Sequence, residues 1–239
     1  MAGAATVEKA LDVLFHLHAA GEALGPSEIG RALDLPKSSC HRLLAALAQR
    51  EVVERDALGR YRPGVALLAL GLGAQHRDPI VRAARPTLEA EAAAFGETVF
   101  LVARRGGRLR VLDKVEGMGF LRAAPGLGDE IPEDVTAAGQ LHRAWEPPPA
   151  PDDRSATLPG PAWAVNRDAW IAGLSVLGVP VFEARPGGPP RIAGVLALAA
   201  ASARFDAIGE DAIATRLCFA ARQVNERLGV TGSLGSRTT

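Results

Sequence analysis

The stretch from Pro36 to Leu47, Pro-Lys-Ser-Ser-Cys-His-Arg-Leu-Leu-Ala-Ala-Leu, restricts the fold of this chain more than any other. Cys40, Leu43, Leu44 and Leu47 recur at i, i+3, i+4 and i+7 and so share one helical face. Lys37, Ser38, Ser39, His41 and Arg42 occupy the rest of its N-terminal half, and no acid stands between Lys37 and Arg50. Such a helix suits a DNA major groove. It equally describes a surface helix with solvated basic residues, and the segment alone does not decide.

Its neighbours decide. Pro26 to Leu33 starts with proline where a helix tolerates it and carries Glu28 in its first turn. Asp34-Leu35-Pro36 breaks that short helix, and the next begins at once, which is a helix-turn-helix arrangement. Val52 to Arg55 and Arg60 to Pro63 then read as two short strands around Asp56-Ala57-Leu58-Gly59. A hairpin after such a helix is a wing, with Arg55, Arg60 and Arg62 along it to meet phosphates. Upstream, Thr6 to Ala19 forms a first helix, capped by the Thr6 hydroxyl, with Val7, Ala10, Leu11, Leu14, Leu17 and His18 at helical spacing. His16 and His18 point to different faces and make a poor metal pair.

Charge contributes little. The 239 residues hold 27 basic and 27 acidic side chains, so no global field draws the chain to nucleic acid. Residues 31–62 hold seven basic and four acidic residues, an excess too small to dominate binding. Cys40 and Cys218 are far apart in sequence, which argues against a disulfide framework. The longest apolar run, Ile192 to Ala201, is too short to span a bilayer, and no secretory leader pattern opens the chain. A cytoplasmic location is expected. No nucleophile elbow, phosphate loop or zinc-spaced cluster is present, and the histidines lack a recognisable companion. No enzyme, cofactor or metal is expected.

Downstream, Gly64 to Gln75 is helix-prone and apolar, and Asp78-Pro79 opens a second domain whose first helix covers Val81 to Phe95. Thr98 to Val102 and Arg110 to Val115 pair around Gly106-Gly107, with Arg104, Arg105, Arg108 and Arg110 read as a solvated basic turn. A further strand is expected over Phe120 to Ala124, a helix over Thr136 to Trp145 and a loop over Pro147 to Pro161. Val176 to Phe182 and Ile192 to Ala200 are central antiparallel strands around Pro186 to Pro190. One long helix, capped by Asp206, runs to Leu228, with a mobile tail after it.

The run Leu35 to Leu44, followed by Val53-Glu54-Arg55 and Gly59-Arg60-Tyr61-Arg62, resembles the winged helix-turn-helix of the IclR family of bacterial transcription regulators. Gly96 to Val99, Leu112 to Gly117 and Pro180-Val181-Phe182 extend the resemblance to about Leu228. It implies an α+β chain: a winged helix-turn-helix at 1–64, a linker and dimerisation helix at 65–77, a GAF-like antiparallel sheet with helices at 78–229, and the tail at 230–239. The partners it implies are double-stranded DNA and a second copy, as a homodimer or tetramer.

In that family small acids or aromatic compounds occupy a pocket in the second domain. Carried over by position, Asn166 stands in the loop before the central strand, where an acid is common, Val176 on the first central strand, where a cysteine is common, and Leu196 and Leu198 on the second, where two hydroxyls are common. Thr136, Ala137 and Ala138 supply backbone donors and one hydroxyl. A buried carboxylate left without such partners is costly. The expected effector is therefore apolar or aromatic rather than a small hydrophilic acid. The alternative is a degenerate member that acts through dimerisation or a protein partner without sensing a ligand.

Overall fold

Alanine at positions 2, 4 and 5 favours helix, and α1 (Ala2–Ala20) starts a full turn before Thr6. Thr6 is therefore an interior helical residue, not the expected cap. The side chains that α1 buries are Val13 and Leu17, whereas Val7, Leu11 and Phe15 are exposed. The expected apolar face is thus corrected: periodicity marked an apolar stripe, but this unit's own core covers only the part near Leu17. This computed structural model describes residues 2–118, 125–146 and 160–230, and the chain divides into two units, Met1–Ala74 and Gln75–Thr239. The strand expected over Phe120–Ala124, residues 147–159 of the expected loop and residues 231–239 of the tail lie outside the described residues.

In the first unit, α2 (Pro26–Ala32) begins at Gly25, whose N–H donates to the Glu28 carboxylate at 2.6 Å. After the turn at Leu33–Pro36 comes α3 (Lys37–Gln49), and then β1 (Val53–Arg55) pairs antiparallel with β2 (Tyr61–Pro63). Val13, Leu17, Ile29, Leu35, Cys40, Leu44, Val53 and Tyr61 form one core, which fixes α3 with Cys40 and Leu44 inward. The Cys40 thiol donates to the Pro26 carbonyl at 3.3 Å, and burial raises its pKa, so it packs as a small apolar residue. α4 (Val65–Arg77) carries the unit boundary and buries no residue fully; Val65, Leu68, Leu70 and Leu72 are exposed.

In the second unit, Asp78 caps α5 (Pro79–Phe95) and Gly96 ends it in a left-handed conformation. β3 (Thr98–Arg105) and β4 (Arg108–Val115) join at Gly106 and Gly107, both at positive φ, as a two-residue hairpin of this kind requires. After α6 (Ala137–Trp145) come β5 (Ala164–Arg167), β6 (Leu174–Arg185) and β7 (Gly188–Ala201), then α7 (Ser202–Ile208) and α8 (Glu210–Arg227). The five strands form one antiparallel sheet in the order β4-β3-β7-β6-β5.

Alternation along the strands divides the core in two. Val99, Leu101, Leu177, Val179, Leu196, Leu198 and Ala200 pack with α5 and α8. Phe100, Val102, Val176, Val195, Ala197 and Ala199 pack with Ala137, Ala138, Leu141 and Trp145 of α6. Three expectations are corrected. Asn166 lies in β5, an edge strand too short for periodicity to reveal, and not in a loop. The single final helix is two, because Gly209 at φ 91 interrupts it. Asp206 is accordingly inside α7, where it pairs with Arg167, and is not a cap.

Candidate nucleic-acid interface and effector pocket

The inward anchoring of Cys40 and Leu44 turns the other side of α3 to solvent. Lys37, Ser38, His41 and Arg42 are exposed, as are Ala45, Ala46 and Gln49 further along, while Ser39 is half-buried. Among the described residues neither Lys37 nor Arg42 enters an ion pair. Their donors are thus available to a partner at no cost in broken contacts.

The wing differs. The Arg62 guanidinium meets Glu54 across the hairpin, and Arg60 Nε lies 3.2 Å from Asp56 Oδ2. Arg55 sits over the Tyr61 ring, 5.9 Å from its centroid. Asp56 Oδ1 also accepts from the backbone N–H of Leu58 and Arg60, at 2.9 and 2.8 Å. Those backbone donations, Arg60's first, hold the Asp56 carboxyl below the usual carboxylate range. The spacing of the arginines along the wing was legible in sequence, but their engagement with acids was not, since cross-strand register decides it.

The other arginine-rich hairpin, β3–β4, is ion-paired rather than a free basic turn. Arg104 meets Glu133 at 2.6 Å and Glu146 at 3.1 Å, Arg105 meets Asp78 at 2.9 Å, and Arg108 meets Glu130 at 2.7 Å. Arg110 reaches Glu130 at 3.8 Å and donates to the Gly128 carbonyl.

Over the α6 side of the sheet, Phe100, Val102, Ile131, Ala137, Ala138, Val176 and Ala197 surround a small cavity with Thr136, Asn166 and Trp170. The Thr136 hydroxyl caps α6: it donates to the Pro132 carbonyl at 2.5 Å and accepts from Gly139 N–H at 3.2 Å. Asn166 Oδ1 accepts from Ala169 N–H at 3.0 Å. The space that remains is about 10 Å³, room for about one water molecule.

Leu196 and Leu198 are not in this pocket. They are fully buried on the opposite face of β7, against α5 and α8, and Ala197 faces the cavity in their place. Carrying a position over with a one-residue slip in register moves it to the other side of a sheet. Val176, Asn166, Thr136, Ala137 and Ala138 do come together here. Of the two tryptophans flanking Asn166, Trp170 lines the cavity, whereas Trp163 packs with the other core. The loop carrying Trp170 is tied down: Asp168 Oδ1 accepts from Gly173 N–H at 2.7 Å and from the Ser202 hydroxyl at 2.8 Å.

His142 has a companion that the sequence did not reveal. One turn along α6 its Nδ1 lies 3.1 Å from Glu146, and its Nε2 is buried without a partner among the described residues. Burial lowers its pKa, against the opposing pull of Glu146. Asp113, within the Leu112–Gly117 stretch, is also buried; its Oδ1 accepts from Gln75, Arg85 and Lys114 N–H.

A helix-turn-helix followed by a short hairpin, and a separate antiparallel sheet carrying helices and an apolar cavity, define the class of a two-unit regulator. The family model for the IclR helix-turn-helix domain matches residues 6–57, and that for the bacterial transcriptional regulator IclR C-terminal domain matches residues 73–159. Together they cover more than half of the chain, which belongs to the IclR family. The HTH-type transcriptional repressor AllR of Escherichia coli K12 is 28% identical over 139 residues, 58% of this chain and 51% of that protein. The chain thus spans about half the length of the curated relatives it matches.

Solved structures share the fold. The IclR protein of Thermotoga maritima aligns with a TM-score of 0.75 at 20% identity, over 94% of this chain and 99% of that one. An IclR homologue from Microbacterium hydrocarbonoxydans, complexed with 4-hydroxybenzoate, aligns with a TM-score of 0.74 at 17% identity over the same shares. Among the described residues no helix is long and apolar enough to cross a membrane.

Proposed function

We propose that the chain is a sequence-specific DNA-binding transcription regulator that acts as a dimer on a palindromic or pseudo-palindromic site. The observation that carries this reading is the outward face of α3, where Lys37, Ser38, His41 and Arg42 stand exposed with neither cation paired. Such a face can place Arg42 on guanine and the N-terminal hydroxyls on neighbouring bases or phosphates. The wing follows along the backbone, although Arg60 and Arg62 would have to exchange a carboxylate for a phosphate to engage it. Dimerisation is supported by the apolar stripe Val7, Leu11 and Phe15 on α1 and by the exposed leucines of α4, since large apolar patches of this kind ordinarily mark contact surfaces. A gel shift on the chain's own upstream region tests the assignment. Arg42→Ala reduces discrimination between specific and random DNA more than Arg60→Ala does; equal, unselective losses would count against it.

The second unit is read as a sensor for an apolar or aromatic effector at the Phe100–Val176–Trp170 cavity. With the Thr136 hydroxyl and Asn166 Oδ1 already hydrogen-bonded and β7 offering alanine, a small hydrophilic acid is left with the Asn166 amide N–H as its main polar contact, little compensation for its lost hydration. An aromatic ring does not fit in about 10 Å³, so admitting one requires the cavity walls to move apart. The same small volume favours a second reading, in which this unit assembles the regulator without sensing a ligand. Titrating 4-hydroxybenzoate, the ligand of the Microbacterium relative, while following tryptophan emission separates the two. A saturable change lost in Trp170→Phe supports sensing; no change and no heat supports assembly alone.

A further inference from the structure

We propose that the wing enters the minor groove with an apolar tip, Leu58, rather than with a cation. The inference rests on the reading of the first unit as a DNA-binding domain and concerns which part of the wing makes contact. Leu58 is 78% exposed at the end of the β1–β2 hairpin, beside exposed Ala57. The turn presenting it is built rigidly. Asp56 Oδ1 accepts from Leu58 N–H and Arg60 N–H, Gly59 N–H donates to the Asp56 carbonyl at 3.0 Å, and Asp56 N–H donates to the Arg60 carbonyl at 2.8 Å. A large apolar side chain is thereby held in water on an ordered turn, so little further entropy is lost when it binds.

Two of the three wing arginines are ion-paired with acids. Arg62 faces Glu54, Arg60 faces Asp56, and Arg55 covers Tyr61. Ala57 and Leu58 themselves carry no charge, while Asp56 opens the turn and the Arg55 guanidinium packs against Gly59. DNA fits this tip better than a protein partner does. One leucine offers far less than the roughly 800 Å² per partner of a standard protein interface. The minor groove is only about 6 Å wide and takes single apolar wedges, leucine among them, against its sugar walls or between base steps. The surrounding Glu54, Arg55, Asp56, Arg60 and Arg62 sum to a small positive charge, which suits phosphates on either side of the groove.

The experiment selects DNA fragments from a random library with the full chain, then measures affinity across a series of salt concentrations. Leu58→Ala is expected to weaken binding about tenfold while leaving the slope of log affinity against log salt unchanged, because no phosphate contact is removed. Leu58→Met should retain most of the affinity, and Arg60→Ala should stay within about threefold of the parent. Since Leu58 supports no core, its variants should melt with the parent. Leu58→Ala binding within twofold of the parent, or a loss accompanied by a shallower salt slope, overturns the proposal. So does a change in the mass of the free protein in light scattering, which would assign the tip to a protein contact. If the chain selects DNA and Arg42→Ala abolishes discrimination while Leu58→Ala is silent, only the wing assignment falls. If it selects no DNA at all, both readings fall together.

Discussion

The outward face of α3 and the cavity under Trp170 are both bounded by well-packed cores, yet they present opposite chemistry. On α3 the cations and hydroxyls are turned out with no ion pair to break, so a partner gains nearly the full value of each contact. In the cavity the Thr136 hydroxyl and Asn166 Oδ1 already hydrogen-bond within the fold, and apart from the Trp170 indole and the Asn166 amide nitrogen the other lining side chains are hydrocarbon. The first surface can discriminate by hydrogen bonds. The second discriminates mainly by shape and apolar area, unless it is filled by its own walls. A residue's type therefore says less about its role than whether its polar atoms are already met.

The largest effect expected from breaking this contrast lies at the cavity's edge. A Cβ on Gly139, in the first turn of α6, would stand 1.9 Å from the Glu133 carbonyl oxygen, an overlap that only backbone movement can relieve. Gly139→Ala should cost about 3 kcal/mol or more, since strain of this kind belongs with the severe mechanisms of destabilisation. Differential scanning calorimetry should show the second unit's transition lowered by several degrees. An unchanged melting profile would mean that α6 is free to shift, and with it the small size of the cavity.

Next in size is Arg42→Ala. If Arg42 is bidentate to guanine, its loss costs about 1–3 kcal/mol of discrimination, read as the ratio of specific to random-sequence affinity. The parent ratio persisting in the variant would show that α3 is exposed without being the reading surface.

These two positions also show what could be read from the chain. The helix-turn-helix and the wing were legible because each rests on local signals: apolar spacing over Cys40, Leu43, Leu44 and Leu47, the break at Asp34–Pro36, and glycine in the turn at Gly59. The cavity was legible only in part. Thr136, Ala137, Ala138, Asn166 and Val176 do converge, but Leu196 and Leu198 belong to the opposite core. Both faces of β7 are buried from Gly194 to Ala200, so that stretch is apolar throughout and carries no alternation to fix register. The stripe on α1 failed for a different reason. Val7, Leu11 and Phe15 follow helical spacing as well as Val13 and Leu17 do, and spacing does not say whether a face is covered by its own chain. The break at Gly209 was hidden because a lone glycine inside a helical pattern is often tolerated.

A smaller effect follows from His142. It faces Glu146 on its own helix, Arg104 from β3 and Glu133 from the segment before α6, with Arg143 beside it. Burial depresses its folded-state pKa below 6.5, so the unfolded chain takes up the proton first as pH falls. Stability is full above about 6.5 and is lost as pH drops from there toward the folded value. The second unit should melt lower at pH 5.5 than at pH 7.5, and His142→Gln should remove part of that difference. An identical pH dependence in the variant would assign the acid sensitivity to other groups.

The smallest effect is expected where the contrast between free and engaged cations is most direct. Arg62 and Glu54 are 61% and 47% exposed in their side chains, so their ion pair is worth about 0–1 kcal/mol and should barely register in a thermal melt. Arg62→Ala should change DNA affinity by less than about threefold, whereas Glu54→Gln, which frees the arginine, should raise affinity and steepen the salt dependence. That sign separates the two possibilities. If Arg62 already leaves Glu54 for a phosphate on binding, Arg62→Ala instead makes the salt slope shallower by about one contact. An engaged cation is then a reserve that DNA can draw on, and the difference between α3 and the wing is one of cost rather than of kind.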